Sequence, residues 1–260
     1  MNFTGERVIP GEVDADLFNE HWARYLFAQQ FASAKKVLDA ACGSGYGSAL
    51  LSQTAARVVG TDIAHEAVDY ARAHFGSPKT DYVRADCLAL PFAAAQFDLV
   101  VAYEIIEHLA DAEGFLKELR RVLTPEGLLL LSTPNRLYYT EDRGEVNPFH
   151  AQEYSYPEFS VLLRRVFPHC AIYIENHVGG LLVSDPAQDG SSPGSPACQQ
   201  SFPALDDSAS EQRKREAHYM VAIASSRPLP NIQPILYLPS SGTVLRERET
   251  HIQRLEEQLS

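Results

Sequence analysis

The chain has 260 residues, of which 34 are acidic and 22 are basic, so its formal net charge is −12 at pH 7. This length suffices for one domain of ordinary size with a full core, together with some appendages. A charge this negative argues against a protein that binds a long stretch of nucleic-acid backbone, although it leaves room for a local basic patch.

The cysteines and the N-terminus bear on the compartment. Cys42, Cys87, Cys170 and Cys198 are scattered and form no C-x-x-C pair, which favours free thiols in a reducing compartment. The N-terminus lacks the basic and then apolar pattern of a secretory signal. No apolar run approaches the ~20 residues of a membrane span. We therefore expect a cytoplasmic protein without a membrane span.

An N-terminal arm with a lid helix is predicted over residues 1–34. Apolar side chains recur at helical spacing between residues 16 and 31, which favours a helix that packs on the main domain. His21 and Arg24 on this helix could line a ligand, but the sequence favours solvated surface positions for both.

The main domain, predicted over residues 35–228, is organised around a glycine-rich stretch at 37–47. The stretch predicts a short buried strand, a turn and then a helix that starts near residue 48. Glycines allow the backbone to approach a ligand closely and to adopt dihedral angles that a Cβ would forbid. The helix N-terminus directs unpaired N–H groups towards the turn. This arrangement is typical of a nucleotide-cofactor turn.

The spacing of the glycines narrows the choice of cofactor. Gly43, Gly45 and Gly47 alternate with other residues, and Ser48 stands where a dinucleotide fingerprint has its third glycine. Asp39 lies four residues before the first glycine, where a carboxylate would repel a pyrophosphate but could hold an ammonium group directly or through water. S-adenosylmethionine has an amino group and no phosphate.

The pattern D-x-A-C-G-x-G-x-G at 39–47 resembles motif I of the class I S-adenosylmethionine-dependent methyltransferases. The resemblance implies that S-adenosylmethionine is the cofactor and that the turn and the ends of later strands contact it. The implied cofactor-binding residues are Asp39, Ala41, Gly43, Gly45, Asp62, Ile63, Asp86, Cys87 and Tyr103.

Two acids follow the next two predicted strands. Asp62 lies 19 residues beyond Gly43, close to the ~20 expected for a carboxylate that binds ribose hydroxyls. The alternative role for Asp62 is capping the helix that follows. Asp86 resembles the family position whose acid contacts the adenine amine, and its alternative is an exposed turn residue.

Strands and helices alternate through residue 132, which predicts a parallel, doubly wound α/β sheet with ligands at the carboxyl ends of the strands. In the family that the chain resembles, two later strands form an antiparallel pair at one edge, so a seven-stranded Rossmann-like sheet is expected. The predicted strands after the first are 57–61, 81–85, 96–102, 128–132, 170–176 and 218–224, and the predicted helices are 48–56, 64–75 and 157–167.

Two segments are expected to lie outside this core. Residues 184–212 are rich in Ser, Pro, Ala, Gln and Asp, which predicts a mobile insert. Residues 229–260 form a C-terminal tail, in which 243–259 has apolar side chains near heptad positions. Two heptads are too few for a convincing coiled coil, but the segment is a candidate for self-association and for the start of a coiled coil that continues beyond the chain.

The fourth predicted strand is followed by Glu104, Glu107 and His108, which on a helix would share one face of one turn. Carboxylates suit Mg²⁺ or Mn²⁺, and an imidazole favours Mn²⁺, Fe²⁺, Co²⁺ or Zn²⁺. With His150 in a later H-x-x-E-aromatic pattern, E-x-x-E-H resembles the metal site of the small-RNA terminal 2′-O-methyltransferases. E-x-x-E-H alone resembles ubiquinone-pathway O-methyltransferases. These resemblances imply a divalent cation held by all four residues.

The same run also occurs in class I methyltransferases that use no metal. There the glutamates make hydrogen bonds and the histidine is a general base or a structural residue. The candidate catalytic residues are therefore His108, His150 and Glu107, with or without a cation. A cation would help because the pKa of a sugar hydroxyl lies far above 7.

The predicted function is O-methylation of a hydroxyl on a sugar, a glycan or a nucleotide-sugar. The segments F-T-G-E-R-x-x-P and E-H-W-x-R-Y resemble the N-terminal arm of bacterial methyltransferases associated with surface-polysaccharide synthesis. RNA 2′-O-methylation ranks lower because of the negative charge, and methylation of nitrogen or carbon in a small molecule stays open. Alternatives of another kind are an NAD(P)-dependent oxidoreductase, which Asp39 and Ser48 disfavour, and a cofactor-binding scaffold without activity.

Overall fold

The computed structural model describes most of the chain. By its contacts the chain forms two compact units, and nearly all of the second, Val178–Ala204 and Ile235–Ser260, lies outside the described residues. The fold is therefore that of the first unit, Met1–His177 with Leu205–Pro234. The predicted boundaries of arm, domain and tail stay predictions. The described residues are 7–142, 144, 147–177 and 207–237, the side chains of 207–209 excepted.

Seven strands form one sheet. They are β1 (Lys36–Ala40), β2 (Arg57–Asp62), β3 (Thr80–Arg84), β4 (Phe97–Ala102), β5 (Leu123–Pro134), β6 (His169–Glu175) and β7 (Tyr219–Ser225). Their order is β3-β2-β1-β4-β5-β7-β6. The first five strands are parallel, and β7 pairs antiparallel with both β5 and β6. The predicted mostly parallel sheet with an antiparallel edge pair is confirmed.

Six α-helices accompany the strands in the described part of the chain, and none of them combines the length and apolar content that a bilayer crossing requires. The last helix begins inside the predicted mobile insert, where strong helix formers such as Glu, Gln, Arg and Lys dominate. Residues 184–206 and 243–259 lie outside the described residues. The mobility of 184–206 and the self-association through 243–259 therefore stay predictions. The helices are α1 (Ala15–Gln29), α2 (Tyr46–Ser52), α3 (His65–Phe75), α4 (Ala112–Val122), α5 (Tyr156–Val166) and α6 (Asp207–Glu216).

The leucine run of β5 is explained by burial on both faces of the sheet. Leu129 and Leu131 belong to the core beneath α4 and α5, and Leu130 belongs to the core on the opposite face beneath α1. All three side chains are fully buried. A central parallel strand covered on both sides needs apolar residues at consecutive positions rather than at alternate ones.

The glycine-rich turn lies where the sheet reverses direction. Strand β1 has β2 on one side and β4 on the other, so the chain builds outwards from β1 first one way and then the other. At such a point the loops after neighbouring strands diverge and leave a crevice at their carboxyl ends, which is where open α/β sheets bind ligands. The fold therefore puts the turn after β1 in this crevice.

Helix α1 covers the turn. The hydroxyl of Tyr25 donates to Asp39 Oδ1 at 3.1 Å, and the Tyr25 ring lies directly against the backbone of Gly47. One turn earlier, Trp22 stacks on Tyr46 at the start of α2 with 6.4 Å between ring centroids. The predicted packing of the apolar stripe on the domain is confirmed.

The contact between α1 and α2 makes Gly47 sensitive to substitution. In Gly47→Ala the new Cβ would lie 2.0 Å from Cζ of Tyr25, and that ring cannot withdraw without losing its hydrogen bond to Asp39. We expect the free energy of unfolding, measured in urea, to fall by about 1–3 kcal/mol. In the control Gly11→Ala, no atom lies within 4 Å of the new Cβ, although the backbone φ of +83° still carries strain. A Gly47→Ala variant as stable as the wild type would contradict the close contact.

Candidate active site

The turn after β1 contains three residues with left-handed backbone angles, Ala41 (φ +58°), Gly43 (φ +54°) and Gly45 (φ +91°). A Cβ at Gly45 would lie 2.6 Å from Cβ of Ala71 on α3, so the helices pack closely around this part of the turn. A Cβ at Gly43, by contrast, would meet no atom within 4 Å. The backbone at Gly43 therefore borders open space that a ligand can occupy.

Asp62 lies beside this open backbone at the end of β2. Its Oδ2 accepts from the backbone N–H of Gly43 at 3.1 Å and its Oδ1 accepts from that of Ala64 at 2.9 Å. Arg7 approaches the same Oδ1 at 3.9 Å. The side chain does not cap α3, because Ala64 itself is the N-cap and has no side-chain cap bond. Asp62 is thus fixed at the predicted place, and its contact with a ribose stays a prediction.

Apolar side chains accompany the acids at this edge. Ile63 is 61% exposed and Leu88 is 39% exposed, and sequence reasoning missed Leu88. Asp86 is exposed, and its side chain accepts from the N–H of Leu88 at 2.9 Å. This is the geometry expected of an exposed turn residue, the alternative role for Asp86. Its contact with adenine stays a prediction. The Cys87 thiol is half-buried, and burial raises its pKa to about 11.

Asp39 lies in β1 and faces α1 and α2. It is fully buried, and its two oxygens accept from Tyr25 at 3.1 Å and from Ser48 at 2.6 Å. A carboxylate enclosed in this way ties α1 and α2 to β1. Its burial disfavours direct contact with a ligand ammonium, and contact through water stays a prediction. Burial raises the pKa of Asp39 to about 7, against the lowering effect of the two hydroxyl donors.

The buried carboxyl group makes stability depend on pH. Because the pKa of Asp39 rises from 3.8 to about 7 on folding, the stability it contributes is complete below pH ~4 and is lost as the pH rises towards 7. Asparagine cannot ionise, so Asp39→Asn should be more stable than the wild type at pH 8, by up to about 4 kcal/mol. The difference should shrink at pH 5, as chemical unfolding can measure. A difference that does not change with pH would contradict a raised pKa.

Tyr103 is largely enclosed, and its contact with the cofactor stays a prediction. Its side chain is only 6% exposed, its hydroxyl donates to the carbonyl of Arg24 at 3.0 Å, and its ring packs edge-on against Tyr25. Both the ring and the hydroxyl are therefore engaged in the packing of α1 on the sheet. The position follows β4 directly, and an aromatic residue there fills the space beneath α1.

Arg24 is 1% exposed, so the predicted solvated position is wrong for this side chain. Its Nη1 donates to Glu175 at 2.7 Å, and its guanidinium lies 4.3 Å from the ring centroid of Tyr219. Its Nε and Nη2 have no hydrogen-bond partner among the described residues. His21, on the same helix, is part-buried rather than solvated, and burial lowers its pKa well below its ordinary value. The signal for Arg24 was its place between Trp22 and Tyr25 in the buried stripe.

The E-x-x-E-H run does not form the predicted helical face. Only Ile106–His108 is helical, as a single 3-10 turn, and Glu104 has a left-handed φ of +51°. Ser132 holds Glu104 in place, since its Oγ donates to Glu104 Oε1 at 2.5 Å and accepts from the Glu104 N–H at 3.1 Å. The sharp turn after β4 separates Glu104 from the other predicted metal ligands.

Glu107 is buried at 1% exposure beneath the loop that carries His150. Its Oε2 accepts from Thr133 at 3.1 Å, and its carbonyl accepts from the N–H groups of Ala151 and Gln152 at 2.7 and 3.0 Å. Burial, followed by the nearby carboxylate of Glu104, raises the pKa of Glu107 well above its ordinary value. These backbone bonds bring a loop more than 40 residues distant in sequence against the turn after β4.

The two histidines meet at this loop. Their rings lie edge to face with 4.9 Å between centroids. His108 Nδ1 is 3.1 Å from the carbonyl of Phe149. His150 Nδ1 is 2.6 Å from Glu153, and its Nε2 is 3.0 Å from Asn147 Nδ2. A carbonyl oxygen only accepts and an amide NH₂ only donates, so in the neutral rings Nδ1 carries the proton and Nε2 is the basic nitrogen.

Three of the four predicted metal ligands are therefore brought together. Glu107, His108 and His150 each offer a ligand atom, and these atoms lie within 4.8 Å of one another, whereas Glu104 is not part of the group. Such a set can take up a proton from an acceptor hydroxyl or hold a cation. The cluster lies at the carboxyl edge of β4, next to the crevice beside β1.

Comparison of the sequence with those of known proteins finds related proteins. Residues 38–131 match a family model described as "Methyltransferase domain". A "Probable S-adenosylmethionine-dependent methyltransferase" of Mycolicibacterium smegmatis is 38% identical over 165 residues, which are 63% of this chain and 63% of the relative. A "Ubiquinone biosynthesis O-methyltransferase" of Ruegeria pomeroyi is 36% identical over 132 residues, which are 50% of each chain. The chain thus spans under two thirds of the length of these relatives.

A solved structure shares the fold. The PH0226 protein of Pyrococcus horikoshii aligns with a TM-score of 0.58 at 18% identity, over 86% of this chain and 96% of that one. At this identity the match speaks for the architecture of the sheet and its helices.

Proposed function

We infer that this chain, which carries a domain of the class I S-adenosylmethionine-dependent methyltransferase family, transfers a methyl group from S-adenosylmethionine to a hydroxyl oxygen. The match over residues 38–131 and the relatives support the methyl donor. The observation that carries the proposal for the acceptor is the meeting of Glu107, His108 and His150 at the edge of the crevice.

The residues at the crevice fit S-adenosylmethionine. The open backbone at Gly43 and the carboxylate of Asp62 suit an adenosine whose ribose offers two hydroxyls. The exposed side chains of Ile63 and Leu88 suit the apolar faces of the adenine. The buried donors of Arg24 suit the carboxylate of the methionine part. The cofactor supplies a methyl group already activated by a positive sulfur, so the protein has to orient the acceptor and remove its proton.

His150 is our candidate for the proton acceptor, with His108 beside it. The carboxylate of Glu153 accepts from Nδ1 of His150, which holds the ring in the tautomer with a basic Nε2. Thr140 donates to the other oxygen of Glu153. The ring is therefore fixed from behind. Asn147 Nδ2 donates to Nε2 at 3.0 Å, so this bond has to open before Nε2 can take a proton from the acceptor.

A divalent cation at the same cluster is the second form of this proposal. Two imidazoles and one carboxylate suit Mn²⁺, Fe²⁺, Co²⁺ or Zn²⁺ better than Mg²⁺. A bound cation would stabilise the alkoxide of an acceptor hydroxyl and could chelate a neighbouring one. Glu104 belongs to this site only if its bond to Ser132 opens.

The acceptor class that we favour is a hydroxyl with a vicinal partner on a sugar, a glycan or a nucleotide-sugar, as in polysaccharide biosynthesis. The relative named for ubiquinone biosynthesis supports oxygen as the methylated atom. The net charge of −12 ranks RNA lower as an acceptor. The N-terminal segment that resembles polysaccharide-associated enzymes supports a glycan.

An acceptor panel tests this proposal. We expect label from methyl-tritiated S-adenosylmethionine to enter a sugar or nucleotide-sugar with vicinal hydroxyls, and the matched deoxy analogue that lacks one of the two to accept far less. Label in an amine, a carbon position or an RNA terminus would overturn the acceptor class. Binding of the cofactor without transfer to any member of the panel would favour the scaffold alternative.

A further inference from the structure

We propose that Glu20, His177 and His218 form a binding site for a divalent transition-metal cation, with Zn²⁺ as the ion that their chemistry suits best. One ligand atom from each residue lies within 4.8 Å of the other two. None of the three residues takes part in the cluster at His108 and His150. The site and its test therefore do not depend on the proposed methyl transfer.

The antiparallel pairing of β6 and β7 brings the two histidines together. Glu175 at the end of β6 pairs with Tyr219 at the start of β7, and the N–H of His218 donates to the carbonyl of Glu175 at 3.2 Å and to Asn176 Oδ1 at 2.9 Å. His177 comes directly after Asn176 in the chain. The centroid of its ring lies 5.3 Å from that of the His218 ring. The register of two strands thus fixes two imidazoles side by side at the edge of the sheet.

Helix α1 supplies the carboxylate. Glu20 Oε1 lies 2.6 Å from His177 Nε2, and Glu20 Oε2 accepts from the hydroxyl of Tyr219 at 3.1 Å. A partner that holds the second oxygen of a ligating carboxylate is a common feature of metal sites. The stacking of Tyr138 on the ring of His218, with 4.1 Å between centroids, restrains that ligand from its other side.

The donor set and its dimensions suit Zn²⁺. Two imidazoles and one carboxylate are a common zinc-binding combination, with a fourth position left for water. With metal–ligand distances of about 2.0–2.2 Å, tetrahedral ligand atoms lie about 3.4 Å apart. The pair Glu20 and His177 would therefore separate by under 1 Å to admit the ion. His177 is partly exposed, so an ion can enter from solvent.

A cation here would join α1 to the β6–β7 edge. The same helix covers the glycine-rich turn through Tyr25. Arg24, one helical turn beyond Glu20, pairs with Glu175 on the same strand. The ion would thus add a further cross-link between α1 and the sheet, and binding to the folded state alone would stabilise the protein.

Zinc binding by the full chain tests the proposal. After removal of metals with a chelator, Zn²⁺ titration should show a site that raises the melting temperature by at least about 5 °C at 100 times its dissociation constant. Glu20→Gln and His177→Gln should each weaken this site by about 100-fold, which reduces the shift to about 1 °C at the same Zn²⁺ concentration. His150→Ala should leave it intact. Equal melting temperatures of all variants in chelator would show that they fold.

Three results would overturn the proposal. The first is a wild-type protein that binds no Zn²⁺, because Glu20, His177 and Tyr219 then form only a hydrogen-bonded group. The second is a Glu20→Gln variant that binds as much Zn²⁺ as the wild type with the same affinity. The third is loss of the melting shift in His150→Ala but not in His177→Gln. If Glu20→Gln folds poorly, the partly exposed His177→Gln decides the question alone.

Discussion

Replacing Arg24 with alanine should lower the free energy of unfolding at pH 8 by about 3–5 kcal/mol. The substitution removes the partner of Glu175, whose side chain is only 19% exposed, together with the contact between the guanidinium and Tyr219. A carboxylate left alone in such a place loses solvation without a compensating charge. Denaturant unfolding at fixed pH measures the effect.

The same variant should show a pH dependence. Burial raises the pKa of Glu175 to about 7 against the lowering effect of Arg24, and removal of Arg24 raises it further. Stability from such a group is complete below its unfolded pKa and is lost as the pH rises. The difference between Arg24→Ala and the wild type should therefore shrink from pH 8 to pH 5.

A double variant separates the charge from the packing. Arg24→Met combined with Glu175→Leu removes both charges and keeps apolar volume, so it should recover at least half of the stability that Arg24→Ala loses. A single variant that loses under 1 kcal/mol, or a double variant that is less stable than Arg24→Ala, would show that the ion pair is not buried as described.

Replacing His150 with alanine should reduce the rate of methyl transfer by about 10²–10⁴-fold, the range for removal of a general base. Affinity for S-adenosylhomocysteine should stay nearly unchanged, because His150 lies on the acceptor side of the crevice in our proposal. Single-turnover transfer to the acceptor found in the panel gives the rate, and calorimetry gives the affinity. The control is His74→Ala, an exposed ring on α3 that stacks on Tyr70.

Chelation decides between the two forms of the proposal. If a cation acts at Glu107, His108 and His150, exhaustive chelation of the wild type should reproduce the loss of transfer seen in His150→Ala. If His150 acts as a base alone, the wild type should stay active in chelator. Full activity of His150→Ala would remove this residue from the chemistry.

The sheet could be predicted from the sequence because its signals are local. The glycines of the turn, the apolar run of β5 and the acid at the end of β2 each mark a strand end or a strand buried on both faces. Alternation of strand and helix then fixes the topology. The position of Asp62 beside the glycine-rich turn could be predicted from its distance of 19 residues from Gly43 along the chain.

The surroundings of several site residues could not be predicted, because they depend on contacts between distant segments. Asp39 is enclosed by Tyr25 from α1. Arg24 is buried against Glu175, a residue that lies 151 positions later in the chain. Glu104 leaves the predicted helix because the turn after β4 needs a left-handed residue at that place and Ser132 holds it there. The pattern E-x-x-E-H indicates neither the left-handed backbone at Glu104 nor its hydrogen bond to Ser132.

The most direct test of the account is a calorimetric titration with S-adenosylhomocysteine. The wild type should bind it and should not bind NAD⁺, and Asp62→Ala should lose about 100-fold in affinity, the value of one or two hydrogen bonds to a charged group. Asp81→Ala, which removes a partly exposed acid of β3 that pairs with Arg57, should bind like the wild type. An affinity unchanged in Asp62→Ala, or binding of NAD⁺ in place of S-adenosylhomocysteine, would contradict the assignment of the crevice to this cofactor.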